Sequence, residues 1–148
     1  MGLRRQAREC AVQWLFQYDV LKQHNPQMAP LSPTAFPPMI EMAPDAKPFA
    51  EQLVQGVLEH MPELDELLQR VADHWSVERM AVVDRNVLRC ALFELLYLKE
   101  IPAKVTINEA IEIAKRFGSE ESGAFINGIL DRLIKSEERL EPKRLATA

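Results

Sequence analysis

Three arginines open the chain. Arg4, Arg5 and Arg8 fall within the first turns of LRRQARECAVQWLFQYDVLKQH. Positive charge at a helix start opposes the macrodipole, so the placement calls for solvent or for some other use. An exposed guanidinium fork suits phosphate oxygens and stacks on bases; the alternative is a plain solvated basic start. A second polar group gathers around Gly118: Lys115, Arg116, Ser119, Glu121, Ser122 and Asn127. Read alone, it is also compatible with the solvated ends of a helical hairpin. Other chemistries lack their spacing. His24, His60 and His74 form no HExxH pattern, and there is no Gly-rich phosphate loop or nucleophile elbow. Glu63, Asp65 and Glu66 sit in a predicted first helical turn, where the dipole favours them, and this accounts for the cluster without catalysis.

The elements that must carry these groups are helices. Thr106 followed by Glu109 reads as a capping box, starting a helix that runs to Phe117 with Ile107, Ala110, Ile111 and Ala114 inward. Gly118 then reads as a left-handed stop, and Ser119 as the cap of a further helix burying Phe125, Ile126, Ile129, Leu130, Leu133 and Ile134. Residues 3–24 form one long helix with a stripe at Leu3, Ala7, Cys10, Ala11, Trp14, Tyr18 and Leu21. Residues 25–48 hold seven prolines and read as a long loop pinned by Leu31, Phe36, Met39, Ile40 and Met42. Pro48 and Pro62 each start a helix, the second with Trp75 inward. Ser76 caps a short turn. Asp84 caps a helix that is apolar nearly all round and central to the C-terminal half. The tail after Lys135 is polar and expected to fray. The result is an all-α bundle of about seven helices in two helical halves, one domain over residues 1–148.

Composition narrows the class. At 148 residues and 47% hydrophobic, the chain can close a core. No apolar run approaches a bilayer span, and the basic start lacks the apolar stretch of a secretory signal, which points to the cytoplasm. Cys10 and Cys90 read as small buried thiols, with no metal or cofactor site. The net charge of −4 argues against a general nucleic-acid binder, but its distribution is uneven. Residues 1–24 carry Arg4, Arg5, Arg8 and Lys22 against Glu9 and Asp19, a net +2; residues 41–84 carry ten acids against Lys47, Arg70 and Arg79, a net −7. One end suits a polyanion and the other a basic protein.

Three ordered blocks, RRQARECAVQWLFQYDV, RMAVVDRNVLRCALFELLY and INEAIEIAKRFGSEESGAFINGILDRL, resemble the NusB family of bacterial transcription antitermination factors. The resemblance implies an all-helical, non-enzymatic RNA binder. It would recognise the boxA element of ribosomal RNA transcripts and pair with the small-subunit ribosomal protein that acts as NusE. With other Nus factors it would join the elongating polymerase. Arg4, Arg5 and Arg8 fall on the family's basic positions, whereas Gln6 stands where many relatives have another basic residue. Bases would lie over Lys115, Arg116, Ser119, Ser122 and Asn127, with Phe117, Phe125 or Tyr18 stacking wherever these are not core. Glu121 would act as a brake on RNA affinity. Glu78 and Asp84 would face the ribosomal protein. The alternatives are a protein adaptor or homodimer that covers the arginine end, and a stand-alone relative of the RNA-binding domain of ribosomal RNA cytosine methyltransferases.

Overall fold

A computed structural model describes residues 2–28, 40–72 and 75–146, and every regular element in them is helical. Six α-helices follow in order: α1 Leu3–His24, α2 Lys47–Val71, α3 Val82–Tyr97, α4 Ala103–Phe117, α5 Ser122–Ser136 and α6 Glu141–Ala146. Three short 3-10 turns precede α2, α3 and α6, at Pro44–Ala46, Val77–Arg79 and Glu138–Leu140.

The apolar-all-round sequence of α3 makes it the spine. It packs against α1, α2, α4 and α5, and everything from Asp84 to Leu95 is buried. Each fully buried Leu along it, such as Leu88 or Leu92, contributes roughly 1.5–3 kcal/mol. Gly56 of α2 permits the closest approach to this spine. A Cβ there would lie 2.1 Å from the Phe93 ring, so only glycine lets the ring seat on the α2 backbone.

Several expectations need correction. The helices expected at Pro48 and Pro62 are one, since α2 runs 25 residues with Pro62 inside it. Pro62 removes one backbone donor, but Leu53, Val54 and Val57 before it and Leu64, Leu67 and Leu68 after it are buried on a continuous face. That shared burial outweighs the break, so one helix stands where two were expected. Trp75, expected inward, is 57% exposed, because α2 ends at Val71 and Trp75 lies beyond the helix whose inner face it was expected to extend. Leu3 and Leu21, at the two ends of the α1 stripe, are also exposed. Ser76 makes no side-chain cap; Gln69 does that work, its Oε1 accepting from the Val77 N–H at 2.9 Å.

The described part of the tail, to Ala146, is anchored rather than frayed. Leu140 is fully buried, and the buried Lys143 donates from Nζ to the carbonyls of Leu98, at 2.7 Å, and Ile101. Of the proline-rich segment, Leu31, Phe36 and Met39 lie outside the described residues, as does His74. At its return Ile40 is buried and Met42 packs on the core, as expected.

Candidate nucleic-acid interface

The arginine end is built where α1 starts beside α4. Arg8 is 4% exposed. Its Nε and Nη2 donate to the two carboxylate oxygens of Glu94 in α3, both at 2.8 Å, and Glu94 is 2% exposed. Thr106 Oγ1 donates to the same carboxylate at 3.1 Å, and Arg8 Nη1 reaches Glu109 at 3.4 Å. The fork expected to hold phosphate is therefore spent inside the protein, and Arg8 is corrected from an RNA contact to a buried anchor. Two acids on other helices set this, Glu94 of α3 and Glu109 of α4, and neither gave a sign in sequence that it faces α1.

This same contact overturns the capping box. α4 begins at Ala103, and no side chain caps it. Thr106 is buried against Glu94, and Glu109 turns to Arg5, whose Nε donates to it at 2.7 Å. That hydrogen bond holds the Glu109 carboxyl below the usual carboxylate range against a smaller opposing effect of burial, and Arg5 is raised in return.

What stays outside is Arg4, exposed and stacked over the Phe49 ring at 4.7 Å, part of Arg5, and Arg116 and Lys115 at the end of α4. Arg116 Nη1 donates to Glu9 at 2.8 Å and its guanidinium lies over Phe117 at 5.1 Å. Arg5 to Glu109 and Glu9 to Arg116 thus stitch the two helices side by side, and the two basic groups share one face. Gln6, the departure from the family's basic pattern, accepts from the Ala43 N–H at 2.9 Å and so ties the returning proline-rich segment to α1.

At the corner, Gly118 is not a left-handed stop; its φ is −102°. Space is the reason for glycine here: a Cβ would lie 2.4 Å from Ser122 Oγ and 2.8 Å from the Ala114 carbonyl oxygen. Ser119 is not the cap of α5. The roles are reversed, with the Ser119 N–H donating to Ser122 Oγ at 2.9 Å, and Ser122 is buried. Ser122 is thereby corrected from an RNA contact to a corner clasp. Ser119, Glu121 and Asn127 are exposed, and Phe117 and Phe125 are half-buried. Tyr18 does not join them. It stacks on Trp14 at 5.4 Å and lines a separate cavity with Asp19, Lys22, Leu58 and Met61, about 20 Å along α1 from Arg4.

Beside the corner runs a groove of about 180 Å³ lined by Trp75, Arg79, Met80, Ala81, Asp84, Glu121 and Phe125. Asp84 is in the first turn of α3 but does not cap it. It is 8% exposed, and its Oδ1 is buried with no hydrogen-bond partner among the described residues. Glu78 is exposed but lines a different groove, with Asp65, Glu66, Arg85 and Arg89, so the two expected partner residues are not brought together. Trp75 and Met80 were missed by sequence reasoning. A tryptophan at the very end of an amphipathic stripe, just ahead of a turn serine, was the available signal.

No cluster of three or more metal-ligating side chains exists among the described residues, and none of their helices is long and apolar enough to cross a membrane. Both cysteines are free and buried, and burial pushes their thiols up.

The model of the NusB family matches residues 5–135. The transcription antitermination protein NusB of Desulfitobacterium hafniense is 47% identical over 140 residues, covering 95% of this chain and 93% of that protein. The protein of the same name from Myxococcus xanthus is 45% identical over 133 residues, covering 90% and 95%. Among solved structures, T. maritima NusB superposes with a TM-score of 0.77 at 40% identity, covering 93% of this chain and 96% of that one. A structure of antitermination factors NusB and NusE in complex with dsRNA matches with a TM-score of 0.69 at 24% identity, over 92% and 98%.

Proposed function

The chain belongs to the NusB family of transcription antitermination proteins, and from that premise we propose that it binds boxA-type single-stranded RNA on the Arg4–Arg116 face while a NusE-type ribosomal protein docks beside it. It acts as one domain in the cytoplasm, within the antitermination complex of the elongating polymerase, and makes or breaks no bond. The observation that carries the reading is the shared face of α1 and α4. There Arg4, Arg5, Lys115 and Arg116 keep exposed charge, while Glu9 and Glu109 hold the helices together. Guanidinium and ammonium groups on this face grip phosphates, and Phe117 and Phe125 at the adjoining corner offer edges on which unstacked bases rest.

The groove next to that corner suits the protein partner. A buried carboxylate oxygen without a donor costs roughly 1–3 kcal/mol, and a basic partner supplies the donor to Asp84 while an apolar side chain covers Trp75. A relative solved with NusE and dsRNA supports the pairing of a protein partner with an RNA.

A filter-binding titration with boxA-type RNA, run with and without the ribosomal protein, tests the reading. About three cationic contacts give a log–log salt slope near −2 on single strands. Arg4→Ala/Arg5→Ala should weaken binding at least tenfold and flatten that slope toward −1. A slope near zero, or equal affinity for a duplex of the same sequence, would sink it.

A further inference from the structure

The C-terminal segment reaches the arginine end from behind. A cavity of about 450 Å³ lies between the α1 start and the connection from α3 to α4, lined by Arg4, Arg5, Arg8, Ile101, Pro102 and Val105 among others. One wall is therefore the connection itself, residues 98–102. Its fastening is Lys143 of α6, 7% exposed, whose Nζ donates to the carbonyls of Leu98 and Ile101. The Leu98 carbonyl caps the end of α3, where helical acceptors lack intrahelical donors and a cation is favoured, and the Ile101 carbonyl lies in the connection just ahead of α4. The Leu98 carbonyl also accepts the Ile101 N–H at 3.2 Å, so one ammonium locks a turn already closed on itself.

The same ammonium is coupled to the arginine side by charge. Burial lowers the Lys143 pKa, and the negative charges of Glu94 and Glu100 oppose that shift. Glu94 is the carboxylate that grips Arg8. Neighbouring contacts hold the segment in place: Leu140 is fully buried, and Arg139 reaches Glu63 at 3.3 Å and the Tyr97 hydroxyl at 3.2 Å.

We propose that Lys143 is a positioning residue for RNA binding: by fastening the Leu98–Pro102 connection it fixes the wall against which Arg4 and Arg5 are presented. This inference rests on the RNA reading of the arginine end. A tail that stays docked keeps the first turns of α1 pre-organised, and a tail that lets go loosens the connection without touching any residue at the RNA.

The experiment compares the full-length protein with Lys143→Met, Lys143→Arg and the Arg4→Ala/Arg5→Ala double variant, using boxA-type RNA in filter binding and amide hydrogen exchange in the folded protein. Lys143→Met should speed exchange at Lys99–Ile101 and weaken RNA binding roughly three- to thirtyfold, the span seen when residues couple distant sites through packed contacts. Lys143→Arg, which still reaches both carbonyls, should restore most of the affinity. If the methionine variant does not fold, Lys143→Gln takes its place, since its amide still donates to one carbonyl without a charge; it should bind between wild type and the loosened state. A Lys143 variant that melts earlier yet binds RNA as wild type, while Arg4→Ala/Arg5→Ala weakens binding, overturns the inference and leaves the RNA reading standing. Unchanged binding in the double variant overturns both.

Discussion

At the start of α1, Arg8 is sealed against Glu94 while Arg4 stays exposed over Phe49. At the far end of the same helix, Arg85 and Arg89 of α3 are both buried against Asp19, which also accepts from Asn86 at 2.9 Å. Asp65 closes the other side of Arg89 with two contacts, at 2.8 and 2.9 Å. Both clusters pin α1 to the spine. They differ in what is left over. In the far cluster the guanidinium groups come from the buried helix and each meets a carboxylate, so neither of them remains for a ligand. In the near cluster the guanidinium groups come from α1 itself, and their exposure is graded from Arg8 through Arg5 to Arg4. The anchor and the proposed binding surface are thus successive turns of one helix. Residue type does not separate an exposed arginine from a strut; the acids that the neighbouring helices bring do.

The largest effect expected from breaking this contrast is at Glu94. Glu94→Gln leaves the buried Arg8 with only the more distant Glu109 carboxylate, 3.4 Å from Nη1, to offset its charge, which should cost about 3–5 kcal/mol in denaturant unfolding. A loss below about 1 kcal/mol would mean the near cluster is not an anchor. Asp19→Asn should cost less, about 2 kcal/mol, since Asp65 still faces Arg89 and Asn keeps an acceptor toward Arg85. RNA affinity should be unchanged in Asp19→Asn, because both guanidinium groups of the far cluster are buried and turned inward.

Acid sharpens the same comparison. Burial alone would raise the Asp19 pKa, but the hydrogen bonds from Arg85 and Asn86 win and hold it below the ordinary value. A carboxylate lowered on folding adds stability that is complete above its unfolded value, about 3.9, and is lost as pH falls through the lower folded-state value. Glu109 and Glu63 are lowered too, by hydrogen bonds from Arg5 and Tyr97 respectively. The melting temperature should therefore hold from pH 7 to about 5 and drop below about 4. Asp19→Asn should flatten that drop. An identical acid profile in the variant would remove Asp19 from the account.

Much of the fold was legible in sequence because helical spacing repeats. The stripes of α1, α3, α4 and α5 and the all-α class followed from apolar positions alone. What sequence could not supply was which acid meets which base. Thr106 and Glu109 have the spacing of a capping box, yet Glu94, a turn of α3 away in space, claims the threonine and Arg5 claims the glutamate. Pro62 reads as a start because proline favours the first turn, and only the continuous burial on both sides of it shows otherwise. The tail looked polar because Lys143 is a lysine; its two carbonyl acceptors sit in a connection 42 and 45 residues earlier. At the site, Arg4, Lys115 and Arg116 were legible as surface charge. Arg8 and Ser122 were not legible as buried, since their partners are set by tertiary contact.

The smallest expected effect falls at Glu121, where the basic face meets the groove proposed for the protein partner. Its carboxylate is exposed at the N-cap of α5 and lines the groove with Asp84 and Phe125. Next to a polyanion it repels; at the start of a helix it is favoured by the dipole, by roughly 0.3–1 kcal/mol. Glu121→Asn removes the repulsion and keeps a good N-cap residue, so stability should stay within about 0.5 kcal/mol of wild type. Removing one exposed like charge should tighten RNA binding roughly two- to fivefold in filter binding, with the gain shrinking as salt rises. An unchanged affinity at low salt would move the transcript off the Gly118 corner and confine it to the first turns of α1. Tighter binding with no salt dependence would instead assign the gain to the cap, because a structural effect on α5 carries no ionic-strength term.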